Sequence, residues 1–318
     1  MAGISQGLLI HKRPNIHLYK VKKETASDKI ETKIKLFLDL IRIRNCSMTF
    51  IAVLLGASFI DFGHVFTIKV LMAGLAAFLI TGAGNIINDY FDYEIDRINR
   101  PHRALPSNKI SKSDAMMLSM ALFAIGLGMS KYVNIYCFLI ALSNVIVLLT
   151  YGKYSKKMYL LSNMIVSYLV ASIFVYGAFA NQTDTFLESS KFQMVALLSA
   201  CAFFATLSRE IMKDIEDIEG DRKKYAITLP IRLGVEKALE VSKTFIFIAM
   251  ILSLAPFYPG FAPEKFNLFF YGVFIMIADA MFISSLRMHP SLSQRAMVAG
   301  MAMSIIAFFS GELLSALI

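Results

Sequence analysis

The sequence predicts an all-α, polytopic membrane protein of about nine transmembrane helices, and three observations predict it. The composition is too apolar for a water-soluble domain: 57% of the 318 residues are hydrophobic against 17% charged, and the mean hydropathy is +0.60. Nine apolar runs of about 17 to 23 residues match the length a helix needs to cross roughly 30 Å of hydrocarbon. Lys and Arg are distributed unevenly among the loops between those runs, as in chains threaded one way through a bilayer.

Residues 1–35 form a basic N-terminal segment without a secretory pattern and, with Ala2 after Met1, without a myristoylation signal. Up to about Ala26 it has little to bury and is expected to be flexible. A capping-box-like pair, Asp28 and Glu31, then introduces Ile30, Ile34, Phe37 and Ile41 at helical spacing. That stripe predicts an amphipathic helix lying in the interface. It delivers Arg42 and Asn45 to the mouth of the first span, where snorkelling of Arg42 and Arg44 is the plain alternative to a site role.

The spans are read as Asn45–Phe62, Phe66–Ile87, Ala115–Tyr132, Val133–Thr150, Met158–Ala180, Phe192–Met212, Leu239–Tyr258, Phe266–Leu286 and Ala296–Leu317. Only the polar turn around Lys131 and Asn134 divides the third from the fourth. With the N-terminus inside, the inner loops collect Arg97, Arg100, Arg103, Lys109 and Lys112, then Lys153, Lys156 and Lys157, then Lys213, Arg222, Lys223, Lys224, Arg232 and Lys237. The outer set is only Lys69, Lys131, Lys191 and Lys265. A multi-pass protein of the cell membrane follows, with the net charge of +9 concentrated on its cytoplasmic face. Such a face attracts membrane lipid headgroups or a diphosphate; nucleic acid is not expected, because no soluble domain is left to bind it. Cys46, Cys137 and Cys201 lack metal-type spacing and read as core thiols.

The pattern Asp-x-x-Asp-x-x-x-Asp-Arg occurs at Asp89, Asp92, Asp96, Arg97 and again at Asp214, Asp217, Asp221, Arg222, each time after an apolar run. Steps of three and four keep the carboxylates of one copy within about 60° on a helix. Clustered carboxylates near hydrocarbon call for a cation, and oxygen-only donors suit a hard ion such as Mg²⁺. Solvated charges at helix ends are the alternative, weakened by the duplication at identical spacing. The copies follow the second and sixth spans, 125 positions apart, and each precedes a basic loop with Leu-Pro, at Leu105-Pro106 and Leu229-Pro230. Residues 36–318 therefore read as one transmembrane domain of two parallel four-helix pseudo-repeats plus a ninth helix. Asn144, Asn163, Ser167, Arg209 and Asp279 are further polar residues of the spans, for which interhelical hydrogen bonding or reach to the interface is the alternative.

A metal held by such acids beside Arg and Lys is suited to a diphosphate, and apolar, Phe- and Tyr-rich spans would shield a prenyl chain or carbocation from water. The run from Asn88 to Arg97, with Asn99, Arg100 and Arg103 following, resembles the first aspartate-rich motif of the UbiA-type intramembrane prenyltransferases, and Asp214, Asp217 and Asp221 resemble the second. Within that family the run from Arg209 to Arg222, then Thr228-Leu229-Pro230-Ile231, is most similar to the branch that makes archaeal-type ether lipids. The resemblance covers the chain from about Leu36.

It implies nine helices around a central cavity under a cytoplasmic cap, and Mg²⁺-dependent transfer of a geranylgeranyl group from its diphosphate to geranylgeranylglyceryl phosphate. It implies Asn88, Asp92, Asp217 and Asp221 as the principal metal and diphosphate residues, with Asp89, Asp96 and Asp214 assisting. Arg97, Arg103 and Lys156 match phosphate-binding positions, Arg42 and Asn45 the polar mouth of the first helix. The family's Tyr-x-x-x-Lys element falls imperfectly on Tyr151, with Lys156 assigned as catalytic by position and Lys153 second. Arg209 and Lys213 are expected near the acceptor phosphate. An aromatic quinone precursor or haem as acceptor is the alternative within the family. A divalent-cation transporter is the alternative outside it, disfavoured because the six aspartates sit at one face.

Overall fold

The chain enters its membrane domain through an elbow. The computed structural model describes residues 26–154, 159–182, 190–223 and 227–317. The amphipathic stripe forms α1 (Ala26–Ile41), and the first crossing, α2 (Ile43–Ser58), starts one residue later at a bend of 57°. Arg42 makes the bend with φ 56° and ψ 65°, a left-handed conformation that strains a residue bearing a Cβ. Its neighbours fix it. Asn85 Nδ2 donates to Ile41 O at 2.8 Å and Cys46 Sγ to the same oxygen at 3.1 Å, so the carbonyl released by the bend is satisfied. Residues 1–25 and the Asp28 side chain, with the flexible segment and capping box expected there, lie outside the described residues.

From the elbow the helices follow the apolar runs. In order they are α3 (Ile68–Phe91), the short α4 (Tyr93–Asn99), α5 (Lys112–Val133), α6 (Ile135–Tyr154), α7 (Leu161–Ala180), α8 (Ser190–Glu216), the short α9 (Ile218–Lys223) and α10 (Leu229–Leu233), α11 (Val235–Ser253), α12 (Leu268–Ser285) and α13 (Pro290–Leu317). Among the described residues eight helices are each long and apolar enough to cross a membrane, and α2 joined to the end of α1 supplies the ninth crossing. The protein is an all-helical, multi-pass membrane protein. Ile125, Leu139, Ile146, Ile251, Phe269 and Met276 are each more than half exposed, as side chains facing hydrocarbon should be.

The boundary between the third and fourth crossings is one residue wide. Asn134 is fully extended; its Oδ1 accepts from Cys137 N at 2.8 Å, capping α6, and its Nδ2 donates to Phe179 O at 2.7 Å. A polar residue in the middle of a long apolar stretch thus reverses the chain with no loop.

Two apolar cores result. One gathers Ile86, Leu122, Cys137 and Val145 from α3, α5 and α6; the other gathers Leu198, Ile246, Ile275 and Phe308 from α8, α11, α12 and α13. Helix α7 gives Tyr176 to the first and Phe174 to the second, so it is the wall between them. It crosses α2 at two glycines. A Cβ built on Gly56 would stand 2.1 Å from Phe174 O, and one on Gly177 2.1 Å from Val53 O, so only glycine permits this approach. All three cysteines are buried and free. Four crossings, α5 to α8, separate the end of α3 from the end of α8, which brings both aspartate-rich motifs to the same membrane face.

Candidate active site

Each motif breaks its long helix at its second aspartate. Asp92 is the single residue between α3 and α4, with Asp92 N donating to Asn88 O at 2.9 Å and Asp96 N to Asp92 O at 2.8 Å. Asp217 stands likewise between α8 and α9, its N donating to Lys213 O at 2.9 Å and Asp221 N donating to Asp217 O at 2.9 Å. The spacing that sequence alone shows as a repeat is therefore a repeated turn.

The carboxylates of the first copy separate into two sets. Arg42 Nη2 lies 2.6 Å from Asp89 Oδ1, Arg103 Nη1 lies 3.0 Å from the same oxygen, and Arg103 Nη1 lies 2.6 Å from Asp96 Oδ2. Asp89 and Asp96 are buried. Two of the residues expected to assist a metal are thus already neutralised by the elbow arginine and by the loop after α4. This chain of ion pairs lines a cavity of about 190 Å³ shared with Leu36, Leu40, His102 and Lys109. Arg97, expected at a phosphate, lies on the exposed side of α4, 3.7 Å from Glu94.

The other set faces inward. Asn88 Oδ1 is buried and has no hydrogen-bond partner among the described residues, an arrangement that is costly unless a cation or donor meets it. Gly152, near the end of α6, makes room for it: a Cβ there would stand 2.8 Å from Phe91 Cδ2 and 3.3 Å from Asn88 Oδ1. The adjacent Tyr151 is where the two halves meet. The charges around its phenol are those of Glu210, Asp92, Asp214 and Arg42, drawn from both motifs and the elbow. Lys156 lies outside the described residues, as does the side chain of Lys153, whose backbone belongs to the last turn of α6.

On α8, Asn163 Nδ2 donates to Asp214 Oδ2 at 2.8 Å, and Ser162 Oγ donates to Asn163 Oδ1 at 3.1 Å. Glu210 is gripped by Arg209 Nη1 at 2.6 Å and by Lys213 Nζ at 3.4 Å. Asp217 is exposed on its turn, and Asn45 is exposed one turn into α2. Glu210 and Asn163 are site residues that the motif spacing did not single out. A signal for Glu210 exists, since Glu210, Asp214, Asp217 and Asp221 continue the three-and-four stepping one turn backwards.

Among the described residues no three His, Cys, Asp or Glu side chains stand close enough together to hold a metal ion alone. Mg²⁺ rarely needs such a cage: it is commonly held by one or two carboxylates, waters and the phosphate oxygens of a substrate. An unpartnered amide oxygen beside the Asp92 turn, with carboxylates of the other motif across Tyr151, fits that mode.

Comparison with known proteins bears on the fold and the family. The UbiA prenyltransferase family model matches residues 49–309. Digeranylgeranylglyceryl phosphate synthase of Methanococcus vannielii is 39% identical over 254 residues, covering 79% of this chain and 85% of that protein. A solved structure from work on digeranylgeranylglyceryl phosphate synthase in membranes superposes with a TM-score of 0.75 at 33% identity, covering 89% of this chain and 99% of the other. A UbiA homolog from Archaeoglobus fulgidus bound to GPP and Mg²⁺ shares the fold with a TM-score of 0.60 at 18% identity, covering 87% and 99%.

Proposed function

This chain belongs to the UbiA prenyltransferase family, and from that membership we propose that it transfers a geranylgeranyl group from geranylgeranyl diphosphate to the free hydroxyl of geranylgeranylglyceryl phosphate, with Mg²⁺. Proximity at Tyr151 carries the reading: its phenol lies within the electrostatic reach of Asp92 from one motif, of Asp214 and the neighbouring Glu210 from the other helix, and of Arg42 from the elbow. Two acidic ends meeting at a buried point is what a metal-bridged diphosphate requires. The similarity to digeranylgeranylglyceryl phosphate synthase supports the choice of acceptor.

Asn88, Asp92, Asp217 and Asp221 would hold Mg²⁺, which when bound offsets the charge that develops on a departing diphosphate. The chain's own groups do the rest. Asp89 and Asp96, tied to Arg42 and Arg103, fix the turn that aims Asn88 and Asp92. Asn163 holds Asp214, and Arg209 and Lys213 hold Glu210. Tyr151, within electrostatic reach of these groups, would offer its hydroxyl to a phosphate oxygen of the donor. The bond from the prenyl carbon to the diphosphate oxygen breaks, a bond from that carbon to the acceptor oxygen forms, and the hydroxyl proton leaves with diphosphate. The site opens to the cytoplasm, as the weight of Lys and Arg on the motif face supports. Residues 36–318 form two four-helix repeats plus a ninth helix, supported by the matched turns at Asp92 and Asp217.

Purified protein with labelled geranylgeranyl diphosphate, geranylgeranylglyceryl phosphate and Mg²⁺ should yield the doubly prenylated ether by mass spectrometry. No ether, or prenylation of an aromatic acceptor in its place, overturns the assignment.

A further inference from the structure

We infer that Arg209, Ser291 and Arg295, in the crevice between the end of α8 and the start of α13, form the subsite that holds the phosphate monoester of the lipid acceptor. The inference rests on the reaction proposed above and adds to it where the acceptor is recognised.

The crevice is a cavity of about 340 Å³ lined by Arg209, Glu216, Ser291, Gln294, Arg295 and Val298, room enough for a glyceryl phosphate headgroup. Its charge is surplus positive. Gln294 Nε2 hydrogen-bonds Glu216 Oε2, which occupies the one acid of the lining. Arg295 has no ion pair among the described residues. Arg209 spends Nη1 on Glu210, and its side chain stays partly exposed in the crevice lining. A guanidinium offers the N–H groups that its ion pair leaves unused to a phosphate. Ser291 adds a hydroxyl in the first turn of α13, with His289 Nδ1 3.3 Å from it.

The donor's diphosphate is the other anion in the reaction, and the fold separates the two. Five residues along α8 turn Arg209 about 140° away from Asp214, so this crevice lies round the helix from the face that meets Tyr151. It is still close by, since Glu216 in its lining precedes Asp217 in sequence. One turn deeper along α13 than Arg295 the surface turns apolar, with Val298 41% exposed. A headgroup seated here would run its prenyl chain straight into hydrocarbon. On a glycerol backbone the free hydroxyl lies only a few bonds from the phosphate.

The test is Arg295→Gln, with Arg295→Lys as the charge-retaining control, on full-length protein in detergent. Steady-state kinetics should show KM for prenylglyceryl phosphate raised about tenfold, with kcat and the KM for prenyl diphosphate little changed and Arg295→Lys recovering part of the loss. Wild type and Arg295→Gln should use the phosphate-free prenylglycerol equally poorly. Calorimetry without donor or metal should show the same tenfold loss of acceptor binding. A rise in donor KM in place of acceptor KM, or unchanged acceptor affinity, overturns the subsite. If wild type forms no ether yet binds the acceptor through Arg295, the reaction fails and the subsite stands; ether formation with unaltered Arg295→Gln affinity gives the reverse.

Discussion

Asp92 and Asp217 occupy the same structural position, each the one residue that separates a long spanning helix from a short helix at the motif face. Each receives and returns backbone hydrogen bonds in the same four-residue register, at 2.8 to 2.9 Å. A carboxylate at such a turn stands at the end of its spanning helix, at the face that both motifs share.

Asp92→Ala and Asp217→Ala should each lower kcat/KM by about a hundredfold or more, since each removes a charge aimed at the diphosphate. Both turns lie outside the apolar cores, so the thermal unfolding temperature in detergent should shift by no more than a few degrees. Retained turnover would show these aspartates to be solvated charges only.

Asp89→Asn should behave in the opposite way. It strands Arg42 beside a neutral amide and leaves Arg103 with Asp96 alone, at a cost of about 3 kcal/mol, and the unfolding temperature should fall by several degrees. Pairing it with Arg42→Gln should cost less than the sum of the two single changes. Additive losses would mean that the 2.6 Å contact between Arg42 and Asp89 contributes nothing.

Chelation of divalent ions should abolish turnover, and added Mg²⁺ should restore it. Asn88→Ala should then raise the Mg²⁺ concentration needed for half-maximal rate by about tenfold, because it deletes a buried oxygen that no donor among the described residues satisfies. An unchanged Mg²⁺ requirement would remove Asn88 from the metal site.

Gly177→Ala should destabilise the fold by about 2 to 3 kcal/mol, read as a lower unfolding temperature, because its Cβ would fall 2.1 Å from Val53 O. Gly128→Ala, where nothing lies within 4 Å of the added carbon, is the neutral control.

The helices were legible because a bilayer writes its thickness into the sequence: apolar runs became α3, α5, α6, α7, α8, α11, α12 and α13 with ends shifted by a few residues. Even the reversal at Asn134 showed as a lone polar turn. The elbow did not show. Nothing local marks Arg42 as left-handed; Asn85 and Cys46 hold it there, and Asn85 lies on another helix. The sorting of carboxylates was equally hidden. Helical spacing puts Asp89 and Asp92 on neighbouring faces, but only tertiary structure brings Arg42, 47 positions away, to claim Asp89. The arginine crevice joins α8 to α13, a distance in sequence that no motif spans.

Because the backbones of α2 and α7 touch at Gly56 and Gly177, a slide of one helix along the other would drive a carbonyl oxygen into the facing helix, whereas a small rotation about the crossing would not. Arg42 lies 14 positions before Gly56, a lever of about 20 Å along the helix. A turn of about 5° at the glycines therefore moves the elbow by roughly 2 Å, enough to make or break its bond to Asp89. The glycine crossing is a pivot, and the elbow is the far end of its arm.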